Sequence, residues 1–136
     1  MEQSPLHWML TPLQRCLDFR GRSRRAEFWW FTLFWAVIAG TAAAIDVAVL
    51  GADLLAGIFN GRLLLAVMLL FFVPYLAVSV RRLHDQGMSG WWYLVTLLPT
   101  VGTLINIWWM TRPRRPGDNA FGPDPLPEPE NPTLYF

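Results

Sequence analysis

The sequence predicts an all-α integral membrane protein with three hydrophobic membrane helices and an N-terminal interfacial helix. Three observations predict it. Of the 136 residues, 54% are hydrophobic and only 15% are charged, where a soluble domain carries about a quarter charged. Three apolar stretches reach the length of a bilayer crossing. Trp pairs stand at their ends, Trp29-Trp30, Trp91-Trp92 and Trp108-Trp109, where indole rings favour the headgroup level. A soluble monomer of this composition would expose large apolar patches. The length allows one domain.

Three segments follow in order: residues 1–27, a membrane domain over 28–110, and a tail over 111–136. In the first, Leu6, Met9, Leu10, Leu13 and Leu17 recur at helical spacing. One apolar face beside polar residues predicts a helix lying on the membrane. The segment does not read as a secretory signal peptide, and the run from Phe28 would act as an uncleaved anchor. The first span is 28–49, without a charge until Asp46. The second is 63–80 and the third 91–110, eighteen and twenty residues without a charge. In lipid every backbone polar group must bond internally, so these stretches are helices. Pro74 should kink the second. Between the first two, Leu54, Leu55, Ile58 and Phe59 fit the interface, and Asn60-Gly61 is a turn signal. The tail is Pro-rich and expected to be extended or disordered.

Arg counts set the orientation. All eleven basic residues are Arg. With three crossings, Arg15, Arg20, Arg22, Arg24, Arg25, Arg81 and Arg82 share one side, against Arg62, Arg112, Arg114 and Arg115. The bias places the N-terminus in the cytoplasm. A hairpin broken at Pro99 would instead bring the tail inside. Trp91 and Trp109 favour the straight span, because eighteen helical residues rise about 27 Å.

Two stretches carry most of the chemistry. In 19–29, Ser23 is placed to cap the first span and Glu27 lies in its first turn, where the helix dipole favours an anion. Arg20, Arg22, Arg24 and Arg25 suit anionic lipid phosphate, since guanidinium forks bind phosphate bidentately. The plainer role is to fix topology. In 81–92, Arg81 and Asp85 are spaced to pair at i,i+4. Gly87 and Gly90 permit a tight turn. Glu27 should pair with Arg81 or Arg82 and staple the first two spans. His84, Asp85 and Ser89 are neighbours on one turn, without the scaffold of a hydrolase site, so no enzyme is expected.

Elsewhere, Ala36, Gly40, Ala44 and Ala48 form a small-residue ridge suited to close helix approach. Asp46 is a functional candidate by its depth, or a marker of the helix end. The turn-rich 118–125 segment lacks a calcium-loop spacing, and Phe121 should dock on the membrane-surface face. Cys16, His7 and His84 offer no metal set. Net charge is +1, too small for a nucleic-acid binder. No metal or cofactor is expected.

Taken together, Gly21-Arg22-Ser23-Arg24-Arg25-Ala26-Glu27-Phe28-Trp29, Arg81-Arg82-Leu83-His84-Asp85, Ser89-Gly90-Trp91-Trp92, Pro99 with Gly102, and Asn119-Ala120-Phe121-Gly122-Pro123-Asp124-Pro125 resemble the domain-of-unknown-function 805 family. The resemblance implies a small bacterial inner-membrane protein and no established activity. The family usually has Arg where this chain has Ala120.

The expected function is non-enzymatic. A cytoplasmic face of Arg20, Arg22, Arg24, Arg25, Glu27, Arg81, Arg82, His84 and Asp85 would bind anionic membrane lipid or a partner, either a second copy or another membrane protein. The alternative is a channel or transporter accessory subunit, with the Pro99–Gly102 break lining a polar path.

Overall fold

The computed structural model describes residues 4–53 and 60–125. The expectations for Leu54, Leu55, Ile58 and Phe59, and for the tail past 125, lie outside the described residues. The order is α1 (Pro5–Gln14), α2 (Arg25–Ala48), α3 (Arg62–Asp85), a 3-10 helix (Gly90–Leu97) and α4 (Val101–Thr111). The fold is all-helical among the described residues, apart from one isolated bridge between Asn119 and Gly122.

Helices α2 and α3 are both long and apolar enough to cross a membrane. They run antiparallel, because the N-terminal turn of α2 meets the C-terminal turn of α3 and Asp46 meets the start of α3. Their shared core is aromatic: Phe31 stacks on Phe71 at 5.9 Å and touches Phe34 and Tyr75. Such ring pairs add to plain area burial. Outward-facing Leu69, Leu70 and Phe72 are each at least 65% exposed, a surface that suits lipid and not water.

The ends of the two long helices are closed by different devices. The N-cap of α3 is Gly61, which has no side chain to offer. Asp46 of α2 supplies the missing acceptor. Its carboxylate, fully buried, takes the N–H groups of Leu63 at 3.1 Å and Leu64 at 2.8 Å. Asp46 therefore closes a helix end and binds orphan donors. At the other end, Gly87 adopts φ 73°, its N–H reaches the His84 carbonyl and the Met88 N–H reaches Leu83. This is a Schellman closure, which requires a residue free to take positive φ. Helix α3 continues through Pro74 from Arg62 to Asp85.

The N-cap of α2 is Arg24 and not Ser23. Ser23 sits one residue early in extended chain, and its N–H is taken by the Arg81 carbonyl at 3.2 Å. The ridge of Ala36, Gly40, Ala44 and Ala48 faces outward, while Ala39 and Ala42 turn toward the interior. Helix α1 forms as expected, capped by Ser4, with Leu13 packed on the core and Leu6 and Leu10 exposed.

The straight helix expected over 91–110 is replaced by a hairpin. Pro99 has no N–H to donate and forces extended backbone on Leu98, at φ −75° and ψ 118°. Thr100 then turns at φ 61°. Gly102 lets the two arms touch: a Cβ there would lie 2.0 Å from the Val95 carbonyl oxygen. The arms return to one end, where the rings of Trp92 and Trp109 meet at 5.9 Å. The Trp spacing misled because it measures contour length and not direction. The tail is also packed as far as Pro125, tied to α3 by the Arg115 N–H on the Asp85 carbonyl at 3.1 Å.

Candidate functional site

Four segments converge at one end of the helix pair: the link before α2, the last turn of α3, the end of α4 and the folded tail. Buried arginines join them.

Arg81 binds the N-terminal side. One Nη donates to Glu27 Oε1 at 3.1 Å. The other donates to the backbone carbonyls of Arg15, at 2.9 Å, and Asp18. The expected staple between the first two spans is therefore Glu27 with Arg81. Asp18 is itself held by Arg15, whose hydrogen bond keeps that carboxyl below its ordinary pKa.

Asp85 binds the other side. It accepts from Arg22 Nε at 3.0 Å and from an Nη of Arg82. The expected pair of Arg81 with Asp85 does not form. Asp85 is on the face of α3 toward the tail, which Arg82 shares at i,i+3, while Arg81 points toward α1 and α2. Arg22 also donates to the carbonyls of Gly117 at 2.6 Å and Arg115 at 2.7 Å. Arg82 donates to the Arg112 carbonyl, and the Gln86 amide to the Trp109 carbonyl. These contacts hold the hairpin's returning arm against α3.

Asp124 completes the tail. It accepts from Arg114 and from the Gly117 N–H at 2.8 Å, and lies 4.0 Å from Arg22. Arg24 donates to the Pro125 carbonyl and lies 5.5 Å from the ring centre of Trp8. Phe121 docks on His84, with rings parallel at 4.0 Å between centres. The Asn119 amide donates to the His84 carbonyl at 2.9 Å, and His84 Nδ1 donates to the Gly21 carbonyl at 3.2 Å. Asn119 and Asp124 stand in the stretch that carries the family resemblance, but no spacing tied them or Arg114 to this cluster.

The expected site residues thus divide. Arg22, Glu27, Arg81, Arg82, His84 and Asp85 are buried and bonded to protein. Arg24 is half-buried, and Arg20 and Arg25 are exposed. Exposed Arg112 and Arg115 join them at the same end, with Arg112 4.5 Å from the ring centre of Trp108. Arg62 alone of the eleven arginines stands at the far end, at the start of α3.

Two comparisons bear on this arrangement. The chain is 40% identical over 124 residues to the inner membrane protein YhaH of Escherichia coli (strain K12), covering 91% of this chain and all of that protein. It is 34% identical over 120 residues to the inner membrane protein YhaI of the same organism, covering 88% of this chain and 96% of that protein. No solved structure matches it. The family model described as "Protein of unknown function (DUF805)" matches residues 16–123, from the link before α2 through the tail that docks on His84. A chain matched over that length, with two apolar helices of membrane-spanning size, is a membrane protein and belongs to the DUF805 family.

Proposed function

We propose that this chain is a non-enzymatic, multi-pass component of the bacterial inner membrane that gathers anionic lipid at its cytoplasmic face. The observation that carries this reading is the division of the arginines. The buried ones close the protein on itself. Arg20, Arg25, Arg112 and Arg115 are left exposed around that clasp, beside exposed Trp29 and Trp108. Indole rings at the headgroup level next to guanidiniums make a surface for lipid phosphate. The hairpin supports the orientation. It brings ten of eleven arginines to one end, the end that the Arg rule assigns to the cytoplasm. The membrane domain is then two crossings and a re-entrant hairpin.

The channel reading has less support. The Thr96 hydroxyl bonds to the Tyr93 carbonyl and that of Thr100 to Pro99, so both are turned to their own backbone.

Quenching of Trp fluorescence by brominated lipid tests the lipid reading. The chain, reconstituted in phosphatidylcholine, is titrated with brominated phosphatidylglycerol or brominated phosphatidylcholine. The expected result is enrichment of the anionic lipid, reduced by salt and by joint Arg→Gln change at Arg20, Arg25, Arg112 and Arg115. Each such Arg contributes about 1 kcal/mol of attraction near an anionic surface. Equal quenching by both lipids overturns the proposal.

A further inference from the structure

A groove of about 420 Å³ runs between the C-terminal half of α3 and the 3-10 helix. Leu76, Val80 and Leu94 line its floor, with Phe19, Trp91 and His84 toward the clasp. Leu76 lies eight residues before His84 on α3, so the groove descends about 12 Å from the arginine end into the apolar region. Its wall is apolar except at the mouth.

The mouth has one unmatched acceptor. His84 Nδ1 faces the Gly21 carbonyl. A carbonyl only accepts, so Nδ1 carries the proton, and Nε2 of the neutral ring is a bare acceptor. Among the described residues Nε2 has no hydrogen-bond partner. Val80 packs against Gly90 so closely that a Cβ there would lie 2.6 Å from Val80 Cγ1 and 3.4 Å from Nε2, so the glycine keeps a side chain from crowding Nε2, which faces the groove that His84 lines. The ring cannot swing to find a partner elsewhere, because Phe121 stacks on it and Gly21 holds it. Ser89, also at the mouth, accepts from the Trp91 N–H and keeps its own hydroxyl proton to donate. Phe19, in the groove's lining, is followed in the chain by exposed Arg20.

An occupant must therefore bring an acyl chain, a negative charge and a hydrogen-bond donor in its headgroup. We infer that the groove holds an anionic phospholipid with a free headgroup hydroxyl, of the phosphatidylglycerol type, whose hydroxyl donates to His84 Nε2. This deepens the lipid reading above and rests on it for the charge, but not for the hydroxyl.

Native mass spectrometry of the detergent-purified full chain separates the two. Three lipids of matched chains are compared: phosphatidylglycerol, phosphatidylmethanol, which has the same charge and no hydroxyl, and phosphatidylcholine. The wild type should retain phosphatidylglycerol about five-fold over phosphatidylmethanol, the equivalent of about 1 kcal/mol for one hydrogen bond. His84→Phe keeps the ring stack and removes the acceptor, so the ratio should fall to one. Leu94→Trp leaves His84 and its Gly21 contact in place and fills the groove, so it too should abolish the preference even if His84→Phe fails to fold. Equal retention of the two anionic lipids by the wild type overturns the inference. If both then still exceed phosphatidylcholine, the arginine reading stands without it. A phosphatidylglycerol preference with phosphatidylmethanol equal to phosphatidylcholine supports the groove and overturns the arginine rim.

Discussion

Arg22 and Asp85, sixty-three residues apart, meet through a 3.0 Å hydrogen bond with each side chain about 1% exposed. Arg82 reaches the same carboxylate. One buried acid thus faces two buried guanidiniums, and the acid's element ends where the tail begins to fold over it. Taking three charges out of water is costly, and the arrangement is retained only where every member has partners. It ties the link before α2 and the folded tail to the last turn of α3 and the end of α4, which already share an apolar core through Leu83, Trp109 and Met110.

Asp85→Asn should be the most damaging single change in the cluster. It keeps the shape and removes the charge that offsets both Arg22 and Arg82. Breaking a buried pair from one side costs about 3–5 kcal/mol. Unfolding in mild detergent, followed by circular dichroism, should show a loss of that size. Arg22→Met added to Asp85→Asn should recover part of it, since one stranded charge is removed. A loss under about 1 kcal/mol, in the range of an exposed pair, would show that the carboxylate is solvated.

The pairing of Glu27 is specific to Arg81. Glu27→Gln with Arg81→Gln should cost less than the sum of the single changes, because each single change strands the other partner. Glu27→Gln with Arg82→Gln should be close to additive, as Arg82 contacts Asp85 and the Arg112 carbonyl instead. The double-mutant cycles measure both couplings. Equal coupling energies to the two arginines would contradict the geometry.

The contrast between these pairs shows what the sequence exposes. Glu27 was legible because it is an acid at the start of a span with two basic candidates on the facing helix end. The apolar lengths of α2 and α3 were legible for the same local reason. The tail was not. Arg22 reaches Gly117 and Arg115 across more than ninety residues, and such contacts leave no periodicity to read. Ser23 had the right type and place for a cap, but its N–H was claimed by α3, which shifted the helix start by one residue. The hairpin fell between two signals, Pro99 with Gly102 against the Trp spacing, and backbone chemistry prevailed.

Asp46 serves α3 as a cap supplied from α2. Asp46→Ala should therefore destabilise by about 1–2 kcal/mol, the cost of a lost N-cap at the upper end of its range. Hydrogen exchange should locate the effect at the Leu63 and Leu64 amides, with little change near Arg81. Protection of those two amides equal to wild type would remove the capping role.

The hairpin makes the tail's side of the membrane a test of the fold. If α4 returns to the end where the 3-10 helix starts, the tail and the N-terminus share a side. If 91–110 crossed straight, they would be on opposite sides. Cys16, the native cysteine, is first changed to Ser, and single cysteines are placed at Ser4, Asn60 and Ala120, all exposed. In intact cells a membrane-impermeant maleimide should label Asn60→Cys and leave Ser4→Cys and Ala120→Cys unlabelled until the membrane is opened. The reasoning is electrostatic as well as geometric: the first and last positions flank ten arginines, and the middle one is beside Arg62 alone. Gly102→Leu supplies the control for the turn. Its side chain would collide with the Val95 carbonyl, which is backbone and cannot swing aside. The arms should part, and the exciton signal of the Trp92–Trp109 pair should be lost. Labelling of Ala120→Cys from outside in the otherwise unchanged chain would establish a third crossing and refute the hairpin.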